Sequence, residues 1–127
     1  AQSKLANVMF GLELNLKLKA SNSKTSSLLA HPGIARTNLQ KKSVEANKSW
    51  QEALAYKFMG PIFQSAKMGA LPQIAAATLP NVNGGEQYGP RFNFRGYPRI
   101  CRNAPKALDS NSRKRLWNIS KQLIQNS

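Results

Sequence analysis

Two short uncharged runs, each closed by Pro and Gly, constrain this chain more than any other feature. The first is Ser26-Ser27-Leu28-Leu29-Ala30, stopped at His31-Pro32-Gly33. The second is Gln87-Tyr88, set between Gly84-Gly85 and Gly89-Pro90. Such runs suit buried strands that end in tight turns. Helical patterns flank them. Residues 1–20 contain no Pro and one Gly, and Leu5, Val8, Met9, Leu12 and Leu16 follow the i, i+3, i+4, i+7 spacing of a helix. Phe10, Leu14 and Leu18 add apolar surface elsewhere on its circumference, so burial on more than one side is expected. Ser21-Asn22-Ser23 breaks the pattern.

The remaining segments alternate in the same way. Residues 37–61 are mixed and read as a loop with one short amphipathic helix carrying Trp50, Leu54, Phe58 and Met59. Residues 65–78 read as a helix that Ser65 can cap, with Met68, Leu71, Ile74 and Ala75 on one face. Pro72 lies inside that pattern and either kinks the helix or marks its start. A short strand is expected over 86–89, then a loop over 91–105 punctuated by Gly96, Pro98 and Pro105. A last helix over 109–124, capped by Asp109 or Ser110, presents Leu116, Ile119 and Leu123 on one face.

Helices alternating with short buried strands predict an α/β fold with a parallel sheet. Two strands do not complete such a sheet, which needs lateral neighbours and cover on both faces. The expectation is therefore part of a doubly wound, Rossmann-type sheet. The start at Ala1 fits a processed chain or a fragment.

Composition narrows the function. The chain of 127 residues is long enough for one domain and carries a formal charge of +14. A surplus of that size attracts phosphates or anionic membranes. A basic nucleic-acid-binding protein is thus the alternative, with a membrane-surface module behind it. The exposed-type pattern Tyr88, Phe92, Phe94 and Tyr97 among Arg91, Arg95 and Arg99 suits that alternative. The charge, however, is spread along the whole chain. No run is long and apolar enough for a transmembrane helix. Cys101 is the one cysteine and His31 the one histidine. No disulfide within the chain, cysteine zinc site or other metal site is expected, and a reducing compartment is favoured. Without a nearby histidine, Cys101 reads as a spectator. His31 reads as a strand-end residue.

Four motifs together resemble the short-chain dehydrogenase/reductase family, in its retinol-dehydrogenase-like branch. Ser3-Lys4-Leu5-Ala6-Asn7 is similar to the helix that follows the family's catalytic tyrosine in Tyr-x-x-x-Lys. His31-Pro32-Gly33-Ile34-Ala35-Arg36-Thr37 resembles its Pro-Gly-x-x-x-Thr turn. Met68-Gly69-Ala70-Leu71-Pro72 with Gly84-Gly85-Glu86-Gln87-Tyr88-Gly89-Pro90 resembles its late helix and final strand. Leu116-Trp117-Asn118-Ile119-Ser120 is similar to its C-terminal helix. The motifs stand in family order from Ala1 to about Ile124.

The resemblance implies the C-terminal half of an oxidoreductase that uses NAD or NADP to interconvert an alcohol and a carbonyl on an apolar substrate. The tyrosine would stand immediately before Ala1. Lys4, one helical turn on, would lower its pKa and bind the nicotinamide ribose. Pro32, Gly33, Ile34 and Thr37 would meet the nicotinamide side of the coenzyme, with Gly33 needed where backbone approaches a ring. Residues 38–64 would form the substrate loop. Trp50, Tyr56, Phe58, Met59 and Phe63 line its pocket or form the core side of one helix. The family's Gly-rich phosphate turn, its catalytic serine and its tyrosine are not within residues 1–127. The chain by itself is therefore expected to be inactive and to need an N-terminal half to fold. The family often dimerises through the helix that begins at Ala1.

Overall fold

The computed structural model describes residues 2–34 and 64–125. In chain order these form α1 (Gln2–Ala20), β1 (Leu29–Ala30), α2 (Ala66–Thr78), β2 (Gln87–Pro90), β3 (Pro98–Cys101), α3 (Pro105–Leu108) and α4 (Ser110–Gln125). They fall into two compact units. One comprises residues 1–29, 79–87 and 100–127, the other residues 30–78 and 88–99.

In the first unit α1 is the organising element. It ends as the Ser21-Asn22-Ser23 break requires. Asn22 adopts a φ of 53°, and the N–H groups of Asn22 and Ser23 bond the carbonyls of Lys19 (3.1 Å) and Leu18 (3.0 Å). That is the paired closure of a helix on a left-handed residue, a role asparagine fills with little strain. Met9 and Leu12 are buried against Ala107, with Leu5, Val8, Leu29 and Leu116 packed around them. Leu16 is 48% exposed, so the apolar stripe is used at its centre and not along its whole length. Gly11 is buried beside Leu29, where a Cβ would come within 2.6 Å of Leu29 Cδ2. A glycine inside a helix costs about 1 kcal/mol relative to alanine. Close packing of β1 on the helix offsets it.

α1 also buries two polar residues, Glu13 and Asn15. The Asn15 Oδ1 accepts the N–H of Ser27 at 3.3 Å, and its amide fills the space that a Cβ on Gly84 would need. Gly84-Gly85 thus lets a buried side-chain amide lie flat against the backbone. Gly85, with a φ of 90°, donates its N–H to Ser27 O at 2.8 Å.

α4 starts as expected. The Asp109 Oδ2 accepts the N–H of Ser112 at 2.8 Å, and the Ser112 hydroxyl, followed by that N–H, holds the Asp109 carboxyl below the usual carboxylate range. The packed face differs from the expectation. Leu116 meets the core, but Ile119 and Leu123 are 44% and 66% exposed. The face turned to α1 carries Arg113 and Trp117, with the Trp117 ring stacked on Phe10 at 4.8 Å. An ion pair and a ring stack, not aliphatic periodicity, set the rotation of this helix.

In the second unit Ser65 caps α2, accepting the N–H of Met68 at 3.2 Å. The helix begins at Ala66, so Pro72 lies within it and is fully buried. Ile74, expected on the packed face, is 52% exposed.

The three strands form one sheet in the order β1-β2-β3. Leu29 and His31 donate to the carbonyls of Glu86 (3.0 Å) and Tyr88 (2.9 Å). Both strands advance together, the signature of a parallel pair. β1 is shorter than the expected 26–30, and β2 runs one residue beyond the expected 86–89. β3 corrects the expectation of an unbroken loop over 91–105. A hairpin joins it to β2, closed by Arg91 N–H to Tyr97 O (2.9 Å) and Phe92 N–H to Arg95 O (3.1 Å), so β3 runs antiparallel. Asn93 and Gly96 supply the positive φ angles of the turn, 64° and 112°. Pro98 opens an edge strand, where its missing N–H is not needed. An antiparallel edge on a parallel sheet is common in α/β folds.

Candidate active site

Lys4 stands in the first turn of α1, exposed to solvent. It belongs to the first unit, and the Pro-Gly turn belongs to the second. Thr37, together with Trp50, Tyr56, Phe58, Met59 and Phe63, lies outside the described residues.

The turn at residues 31–34 follows the C-terminal end of β1. Its conformation is fixed by bonds within the chain. The N–H of Gly33 donates to His31 Nδ1 at 3.3 Å. The N–H of Ile34 donates to Phe94 O at 2.8 Å. Gly33 has a φ of 65°, which favours glycine. A Cβ there would come within 2.6 Å of both Phe94 O and Pro90 Cγ. The requirement for glycine is thus already met by the protein's own hairpin, before any ligand is considered. Because the Gly33 and Ile34 N–H groups are spent inside the chain, and the Pro32 and Ile34 carbonyls accept from Gln64, this stretch offers a ligand the Gly33 carbonyl and the exposed surface of Pro32 and Ile34.

His31 does more than end a strand. Its ring fills the space beside Gly89, and burial lowers its pKa. An Nδ1 that accepts a hydrogen bond must be unprotonated, which agrees with that direction.

Gln64 was hidden in the sequence at the edge of the expected substrate loop. It is buried, 7% exposed. Its Nε2 donates to Pro32 O at 2.6 Å and its Oε1 accepts the N–H of Gly96 at 3.1 Å. Its own N–H donates to Ile34 O at 3.0 Å. A lone glutamine beside a helix cap carries no periodic signal, and only the fold brings positions 32, 64 and 96 together.

β1 and β2 are parallel, so their carboxyl ends lie on the same side of the sheet. The turn 31–34 leaves one, and the hairpin 91–97 leaves the other. Ligands of open α/β sheets bind outside the carboxyl ends of the strands. Among the described residues no group of three or more His, Cys, Asp or Glu converges as a metal site, and no helix is long and apolar enough to cross a membrane. Cys101 is half-buried on β3.

No family model matches the chain, but individual proteins do. It is 33% identical over 126 residues to mouse retinol dehydrogenase 13, covering 97% of this chain and 35% of that protein. It is 30% identical over 137 residues to human retinol dehydrogenase 14, covering 98% and 34%. Mouse polyprenol dehydrogenase is 34% identical over 85 residues, covering 66% and 24%. Among solved structures, an uncharacterized protein from Mycobacterium paratuberculosis aligns with a TM-score of 0.71 and 31% identity, covering 98% of this chain and 37% of that one. The chain spans about a third of the length of the first two relatives and of the solved structure. Similarity along nearly its whole length, on an α/β scaffold of matching shape, makes this chain a member of the short-chain dehydrogenase/reductase family.

Proposed function

We propose that the intact protein is an NAD- or NADP-linked oxidoreductase that interconverts an alcohol and a carbonyl on an apolar substrate. The observation that carries this is the locked Pro32-Gly33-Ile34 turn at the carboxyl end of a parallel strand, where dinucleotides bind in this class of sheet. The names of the relatives, retinol and polyprenol dehydrogenases, support both the reaction type and the apolar substrate. The coenzyme supplies the hydride.

The residues of this chain have separate roles in that reading. Pro32 and Ile34 present an apolar ledge to the nicotinamide ring, and the Gly33 carbonyl accepts from its carboxamide. Thr37 adds a hydroxyl to the same coenzyme side. Lys4, an ammonium on the first turn of α1, binds the ribose hydroxyls and stabilises a phenolate one helical turn before it. Residues 1–127 contain no Gly-rich phosphate turn, so turnover is assigned to the intact protein and not to this stretch alone.

The test is coenzyme binding and turnover by the intact protein. NADH and NADPH titrations followed by nicotinamide fluorescence should saturate. Long-chain or isoprenoid alcohols should be oxidised faster than short polar ones. A folded protein that binds neither dinucleotide refutes the proposal.

A further inference from the structure

Resting on the coenzyme reading of the turn, we infer that Gln64 is a positioning residue. Its side-chain amide clamps Pro32-Gly33-Ile34 to the hairpin 91–97 and so sets the shape in which the turn meets a nicotinamide.

Three observations lead there. First, Gln64 is buried, yet both ends of its amide are bonded, each to a residue 32 positions away: Pro32 O at 2.6 Å and Gly96 N at 3.1 Å. The two bonds admit one amide orientation, since the carbonyl of Pro32 needs a donor and the N–H of Gly96 needs an acceptor. Second, the backbone N–H of Gln64 holds Ile34 O at 3.0 Å. One residue therefore fixes the first and last carbonyls of the segment Pro32–Ile34. Third, the same hairpin closes on the turn through Phe94 O, which lies 2.8 Å from the N of Ile34 and bars a Cβ at Gly33. Turn and hairpin are one hydrogen-bonded body, and Gln64 is its one side-chain link to both halves among the bonds described.

The chemistry of the amide makes the clamp testable. Leucine fills similar space but leaves Pro32 O and Gly96 N–H without the partner they have here, and buried unpaired groups drive local rearrangement. Glutamate keeps the shape and still accepts from Gly96. Ionised, it sets a carboxylate oxygen against the Pro32 oxygen; protonated, it regains a donor and can restore both bonds.

The experiment compares the intact wild-type protein with Gln64→Leu and Gln64→Glu. Coenzyme dissociation constants, KM for coenzyme and for alcohol, kcat and melting temperature are measured from mildly alkaline to mildly acidic pH. Gln64→Leu is expected to weaken coenzyme binding about tenfold or more, since two buried hydrogen bonds are lost, while KM for the alcohol moves less. Gln64→Glu is expected to bind more weakly still at alkaline pH and to recover toward wild type as the pH falls, relative to the wild-type profile over the same range. Folded variants that bind coenzyme like wild type at every pH overturn the clamp. So does a lowered melting temperature with unchanged coenzyme affinity, which assigns Gln64 to stability alone. Wild-type protein that binds no dinucleotide overturns the coenzyme reading itself, and the clamp with it. If Gln64→Leu does not fold, the pH profile of Gln64→Glu decides.

Discussion

Glu13 Oε2 lies 3.6 Å from Arg113 Nε, and the two side chains are only 5% and 11% exposed. The pair joins α1 to α4. At that distance it is a charge–charge contact, and neither atom has a hydrogen-bond partner among the described residues. Lys17 Nζ approaches the other carboxylate oxygen at 3.9 Å from the solvent side. Arg113 is further held by Nη1 bonds to the carbonyls of Ala107 (3.3 Å) and Leu108 (2.8 Å), at the end of α3.

A buried pair of this kind is costly to break and cheap to replace as a unit. Arg113→Ala strands the Glu13 carboxylate in a largely dry site and is expected to destabilise the protein by about 3 kcal/mol. The double replacement Glu13→Leu with Arg113→Met removes both charges and is expected to recover more than half of that loss. Urea unfolding of the three proteins checks this. A double variant no more stable than Arg113→Ala would show that the bonds to Ala107 and Leu108 matter and the ion pair does not.

Gly33→Ala faces two penalties at once. Its φ of 65° is unfavourable for alanine, and the new methyl would come within 2.6 Å of Phe94 O and Pro90 Cγ. The expected destabilisation is about 1–3 kcal/mol, accompanied by weaker coenzyme binding. A shift of the denaturant midpoint at constant slope would register the first effect. Unchanged stability would mean that the turn relaxes without strain.

His31 makes stability depend on pH. Burial lowers its pKa in the folded protein below the ordinary imidazole value of about 6.5. Above that value the imidazole is neutral both folded and unfolded, and its contribution is fully present. Below it the unfolded chain takes up the proton first, so the folded state loses ground until the folded pKa is passed. The melting temperature should therefore fall between neutral and mildly acidic pH. Replacing His31→Gln should flatten that slope. A slope unchanged in the variant would assign the acid sensitivity to other groups.

Lys4 can be tested by rate. Lys4→Met is expected to lower kcat by about a hundredfold or more, the scale of a lost acid–base contribution, with Lys4→Arg retaining part of it. Because Lys4 is exposed on the first turn of α1, neither change should move the melting temperature much. A variant with wild-type kcat would remove Lys4 from the site.

Local rules carried the outline of this protein. The spacing of Leu5, Val8, Met9 and Leu12 marked α1, Ser65 and Asp109 marked helix starts, and Ser21-Asn22-Ser23 marked a helix end. The Pro32-Gly33 stop located a turn, and four short motifs in order located the family. Each of these is a property of neighbouring residues: a helical period, a side chain that reaches the next turn, a backbone that accepts positive φ.

What the residues do to distant partners lay beyond that reach. Pro98–Cys101 read as loop because Gly96 and Pro98 punctuate it, yet pairing with β2 makes it a strand. Ile119 and Leu123 looked like the packed face of α4 until Glu13 and Phe10 drew Arg113 and Trp117 inward. Gln64 carries no local signature, and its three bonds exist only once positions 32, 34 and 96 are brought beside it. The period of a helix says that one side will be covered. Which side, and by what, is decided by the complementarity of segments far apart in the chain, and that only the folded arrangement contains.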